Sequence, residues 1–154
     1  RQIISDKCST QYAADRAATE NFSSNPSQIR KRLALTDEMR LILMFEDGFP
    51  SGGFIDCIDF LKPLERSSSA IDLVSLRKLR TMLDTLRKVT AFFEGIKDGV
   101  YPNLKRMSSR VLNFPEVQRR IDTIVDRYGD KPEAMMQAGI AYATDQIIDL
   151  FANN

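Results

Sequence analysis

A chain of 154 residues with 43% hydrophobic and 28% charged residues has the make-up of a globular domain, long enough to bury roughly two-thirds of its unfolded surface. Its net charge of +1 is far from that of a polybasic nucleic-acid tail, and no apolar run approaches the ~18 residues a bilayer span needs. Histidine is absent, which removes the commonest general base, every Ser-His or Cys-His nucleophile pair and every His-based metal site. The charge is unevenly spread: residues 1–61 hold 7 Lys/Arg against 9 Asp/Glu, residues 62–128 hold 14 against 8, and residues 129–154 hold 1 against 4. The middle is therefore mildly basic. The chain opens at Arg1, without Met and without a signal-peptide pattern, as an excised piece of a cytoplasmic protein would.

In chain order, Arg1–Cys8 reads as a short amphipathic helix burying Ile3 and Ile4, and a second short helix is expected around Gln11–Glu20. Asn25-Pro26-Ser27-Gln28 is a helix start: Asn at the N-cap, Pro at the first helical position, Gln three residues after the cap. The helix should run to about Phe45 and bury Ile29, Leu33, Met39, Ile42 and Leu43. Glu46–Phe54 holds three Gly and one Pro and must be a loop, and Cys57–Leu64 could be a helical turn or a strand. Residues 66–69 form a polar connector.

The strongest element spans Asp72–Ile96. Leu73, Leu76, Leu79, Leu83, Leu86, Val89 or Thr90, Phe93 and Ile96 recur in steps of three and four over about seven turns, with Asp72 placed to cap the first turn. Its outer face carries Arg77, Lys78, Arg80, Arg87 and Lys88. Pro102 then opens a short helix to about Val111. Pro115 opens another to about Tyr128, with an apolar face at Val117, Ile121, Ile124, Val125 and Tyr128 and Gly129 following. Asp130-Lys131-Pro132-Glu133 restarts a final helix that should bury Met136, Ile140, Ala143, Ile147 and Phe151. The class is all-α, an irregular multi-helix bundle around the long helix at about 72–96.

Little of this pattern points to chemistry. No G-x-x-x-x-G-K-[ST] loop is present, and Gly48, Gly52 and Gly53 read as turn formers. Glu46, Asp47, Asp56 and Asp59 make a loose acidic cluster that reads as a solvated loop rather than a metal site. Cys8 and Cys57 lack metal-ligand spacing and read as buried thiols rather than a disulfide. The basic run Arg30-Lys31-Arg32 wraps around its helix, as a solvated face does. Lys105, Arg106 and Arg110 share one side of a helix and are candidate anion contacts.

Several blocks, in order, carry a family resemblance. RQIISDKCST at the start, RKRLALTDEMRLIL with its Leu33, Thr36 and Glu38 spacing, the segment Phe54–Glu94 with the long helix, and Tyr101–Asp130 together resemble the N-terminal region of MutS-type proteins. The similarity is to the paralogue branch that lacks the mismatch-reading domain and carries a C-terminal nuclease module. These are helix-packing patterns, so specificity comes from their number and order. The resemblance implies that residues 1–130 are part of a helical core or lever domain, which in that family joins an ATPase to a DNA-embracing clamp in a homodimer acting on DNA or on ribosomes. ATP and Mg would belong to the parent protein, beyond this chain, and so would the nuclease module. The chain itself is then expected to have no catalytic residue, cofactor, metal, small-molecule substrate or membrane contact. Weak nucleic-acid contact would fall to Arg77, Arg80, Arg87, Lys105 and Arg106. Residues 131–154 depart from the family and resemble a C-terminal segment of methylenetetrahydrofolate reductases, without that family's flavin-binding parts. A divergent tail or a join would each explain this, and the charge change from +6 over 62–128 to −3 over 129–154 favours a join. A generic protein-interaction module is the alternative function; an enzyme ranks third.

Overall fold

The computed structural model describes residues 1–65 and 70–128 together with 148, 149 and 152, the last two residues of the 70–128 stretch through their backbone only. Among these the secondary structure is helical throughout: α1 (Gln2–Ser5), α2 (Gln11–Thr19), α3 (Pro26–Phe45), α4 (Ile58–Leu61) continuing into a 3₁₀ turn (Lys62–Glu65), α5 (Leu73–Gly95), α6 (Pro102–Ser108) and α7 (Pro115–Tyr128). The all-α class follows. The expected final helix with Met136, Ile140, Ala143, Ile147 and Phe151, the connector at 66–69 and the side chain of Tyr128 lie outside the described residues.

The helix starts are set by local chemistry. Asn25 Oδ1 accepts from the backbone N–H of Ser27 and Gln28, with Pro26 at the first helical position. Thr10 caps α2 by accepting from Ala13 N–H. Asp72 accepts from the Ser75 N–H through one oxygen at 2.9 Å and from the Ser75 hydroxyl through the other at 2.6 Å. These bonds hold the Asp72 carboxyl below its ordinary range, the Ser75 hydroxyl contributing most. Past the end of α5, Gly99 turns the chain at φ +87°, a conformation that strains any side chain with a Cβ.

The chain divides into two compact units, one of Arg1–Gly53 with Thr85–Leu112, the other of Phe54–Asp84 with the chain from Asn113 on. Helix α5 supplies its second half to the first unit and its first half to the other. In the first unit the core gathers Ile42, Phe93, Tyr101 and Leu104, with Leu35, Met39, Leu41, Phe49, Val89, Phe92 and Ile96 packed around them. Phe49, Phe92 and Phe93 meet edge to face, with centroids 5.2 Å apart for Phe49–Phe92 and for Phe92–Phe93. The Thr85 hydroxyl donates to the Gly53 carbonyl, and the Ser5 hydroxyl to that of Ala14, tying α1 to α2. In the other unit, Leu73, Leu76, Leu79 and Leu83 pack with Cys57, Ile71, Val117, Ile121, Ile124 and Val125. Arg80 of α5 pairs with Asp122 of α7 at 2.5 Å, both half-exposed. The expected face of α5 packs, except that Leu86 joins neither cluster, and the expected face of α7 packs from Val117 to Val125.

Four local expectations need correcting. Ile3 and Ile4 are 79% and 65% exposed, because α1 is a single turn and presents them to solvent. On α3 the buried residues are Glu38 and Ile42, whereas Leu33 and Leu43 are each 64% exposed and Ile29 is also exposed. Helix α3 is apolar on two sides: at about 100° per residue, Leu33 stands half a turn from Ile42 and Leu43 about a quarter turn or slightly more. A count of apolar positions merges the two faces. Helix α6 stops at Ser108 rather than near Val111. Of the two cysteines, both free, Cys57 is buried but Cys8 only half-buried, its thiol donating to the Ile4 carbonyl. The undecided segment Cys57–Leu64 is a helical turn, with Asp56 accepting from Ile58 N–H.

Candidate functional site

The five basic residues nominated from sequence do not share one situation. Arg77 projects from α5 and is exposed. Arg80 is engaged by Asp122. Arg87 is exposed on the second half of α5. Lys105 reaches back from α6, donating to the Ile96 carbonyl at 2.5 Å and to Asp98 at 2.6 Å. It thereby satisfies a carbonyl at the end of α5 and places a cation where the helix dipole is negative. The ammonium also holds the Asp98 carboxyl below its usual range through their hydrogen bond, although Asp98 itself is fully in solvent. Arg106 donates to the Asn103 side-chain oxygen, and Arg110 falls beyond the end of α6.

A buried polar junction, absent from the sequence reading, surrounds the start of α6. Glu38 of α3 is 8% exposed, and both its carboxylate oxygens are engaged from α6: Oε1 accepts from Asn103 N–H at 3.1 Å and Asn103 Nδ2 at 2.7 Å, and Oε2 from Leu104 N–H at 2.7 Å. A carboxylate distant in sequence thus caps a helix whose own N-cap residue, Tyr101, supplies no side-chain cap. The Tyr101 hydroxyl donates to Glu46 at 2.9 Å; burial first, then this bond to a carboxylate, pushes the phenol above its ordinary value. The signal for Glu38 was its position one turn before Ile42, in phase with the core face. A charged residue there needs a partner.

The acidic cluster of the sequence reading does not act as one group. Glu46 is taken by Tyr101 and Asp56 by the start of α4. Among the described residues no group of three or more Cys, Asp and Glu could hold a metal ion, and no helix is long and apolar enough to cross a membrane.

A groove of about 440 Å³ opens between the end of α2 and the start of α3, lined by Arg16, Thr19, Glu20, Asn21, Phe22, Ser23, Gln28 and Arg32. Arg32 is paired with Glu20 across it. The Arg16 guanidinium donates to the Tyr12 hydroxyl. Phe22, in the extended stretch between the helices, is 99% exposed, with the Arg1 guanidinium 5.7 Å from its ring centre. The Ser23 hydroxyl donates to Gln28. No family model, curated protein or solved structure matches the chain.

Proposed function

We propose that the chain is a non-catalytic helical structural domain of a MutS-type ATPase, acting as part of a lever between an ATPase and a grip on DNA or ribosomes. The observation that carries this reading is α5: one unbroken helix of 23 residues whose first half closes one hydrophobic cluster and whose second half closes another. A change in the packing of one cluster then has a covalent, hydrogen-bonded route to the other. The helix boundaries are in keeping with the reading as well: α6 and α7 lie within a block that carries the resemblance, α5 runs one residue past its block, and the block at residues 30–43 lies inside α3. Hydrogen exchange tests it. In Leu76→Ala, amides around Phe93 and Leu104 should lose protection together with those around Ile121. Loss confined to the neighbourhood of Ile121 would remove the basis for a lever.

A second reading, a protein-interaction module, is favoured by one specific feature. Ile29, Leu33, Leu43, Met44 and Phe45 are exposed on α3, from 38% for Ile29 to 70% for Phe45. Exposed apolar side chains gathered on one helix favour an interaction surface. A Leu33→Glu, Met44→Glu variant that captures the same partners as the parent chain would dismiss this reading.

A further inference from the structure

We propose that the groove between α2 and α3 binds a phosphate ester carrying a planar ring, with Arg32 and Arg16 taking the phosphate and Phe22 taking the ring. This goes beyond the lever reading and does not depend on it. Two guanidinium groups line one cavity, and a guanidinium is the side chain whose planar fork matches phosphate oxygens two at a time. The neighbouring carboxylate, Glu20, already occupies Arg32. It behaves as an internal counter-ion that an incoming anion with more oxygens and more charge displaces.

The ring of Phe22 separates this groove from an ordinary basic patch. A phenyl group 99% exposed in an extended segment presents its ring to a flat ligand, with the Arg1 guanidinium over it at 5.7 Å from the centroid. The Arg1 guanidinium adds positive charge beside that ring. Around the groove, Asn21 and Gln28 carry amide donors, and the Thr19 and Ser23 hydroxyls, which donate to the Asp15 carbonyl and to Gln28, keep lone pairs to accept from a sugar hydroxyl. The cavity volume of about 440 Å³ suits a ligand the size of a nucleoside monophosphate. The start of α3 is not itself the anion site, because Asn25 already accepts from Ser27 and Gln28.

The test uses the full chain with adenosine 5′-monophosphate, inorganic phosphate and adenosine, followed by NMR amide shifts and calorimetry. The monophosphate should move the amides of Thr19–Gln28 and bind about tenfold more tightly than phosphate or adenosine alone. Arg32→Gln or Arg16→Gln should weaken it about tenfold, as loss of a charge-assisted pair requires. Glu20→Gln should tighten it by releasing Arg32, an effect that a merely structural ion pair would not produce. Phe22→Ala should bring the monophosphate down to the level of phosphate. These side chains are exposed, and unchanged melting curves would show the variants folded. A 5′-phosphorylated trinucleotide run in parallel distinguishes a free ligand from a strand end: tighter binding than the monophosphate assigns the latter. Absence of shifts at Thr19–Gln28, binding indifferent to Arg32→Gln, or no tightening in Glu20→Gln would each overturn the proposal.

Discussion

Replacing Glu38 by Ala tests the junction between α3 and α6 most directly. The carboxylate accepts three hydrogen bonds, two from backbone N–H groups of the first turn of α6 and one from the Asn103 amide. Asn103 is half-buried and its amide can turn to water, so that bond is replaceable. Leu104 is 4% exposed and its N–H is not. Orphaning it costs about 1–3 kcal/mol, and the lost charge at the helix start adds about 0.3–1 kcal/mol. Relief from burying a carboxylate offsets part of this, leaving a net loss of about 2 kcal/mol. Glu38→Gln keeps one acceptor oxygen and should fall roughly midway. Equilibrium unfolding in urea measures the total, and exchange of the Leu104 and Lys105 amides localises it. Met44→Ala, on the exposed side of the same helix, should stay within about 0.5 kcal/mol of the parent. If Glu38→Ala matches Met44→Ala, the carboxylate does not hold α6.

Leu76 is fully buried on α5, so Leu76→Ala should cost about 2–5 kcal/mol in chemical unfolding, while Val74→Ala on the exposed side should cost little. Asp72→Ala removes the cap of α5 and should cost about 1 kcal/mol at neutral pH. Because the folded Asp72 carboxyl titrates below its unfolded value, its contribution is present above about pH 4 and is lost as pH falls through the lower folded value. Asp72→Asn should therefore keep much of the cap but flatten the acid limb of the stability curve. A parent-like acid limb in that variant would contradict the assignment. Tyr101 runs the opposite way: its folded phenol titrates above the unfolded value, so its contribution is complete below about pH 10 and lost as pH rises through the folded value. In ultraviolet titration Tyr101 should ionise late, and Tyr101→Phe should remove that step.

What could be read in the sequence was what neighbouring residues decide among themselves. Asn25 with Pro26, Asp72 with Ser75, and Pro115 before Val117 and Ile121 set helix starts and faces over a few residues, and the structure has them there. Helix α3 shows where that logic stops. Its apolar residues serve a core face and an exposed face at once, and the placement of α5 and α6 determines that Ile42 is covered and Leu33 is not. The groove was illegible for a related reason. Arg16, Glu20, Phe22 and Arg32 come from two helices and the stretch between, and nothing in their spacing brings them to one opening. Glu38 was the one case with a readable anomaly, a carboxylate in phase with the core, whose partner 65 positions away had no sequence signal.

Lys105 shows why a basic count over residues 62–128 does not locate a nucleic-acid surface. Its ammonium already caps the end of α5 through the Ile96 carbonyl and pairs with Asp98. A phosphate arriving there would have to replace both, and the carbonyl would be left for water to satisfy. Arg80 is in a similar position against Asp122. Reversing the charge of all five nominated residues together would therefore remove the contacts of Lys105 and Arg80 along with any anion contact, and a lost gel shift would be ambiguous. Arg77 separates the two causes, because it is exposed. Arg77→Glu should leave unfolding within about 0.5 kcal/mol of the parent, and any effect on DNA retention at low salt would then report the surface itself. Lys105→Glu should lower stability first. If instead Lys105→Glu abolishes retention with an unchanged melt, the ammonium serves an external anion and the capping role assigned to it fails.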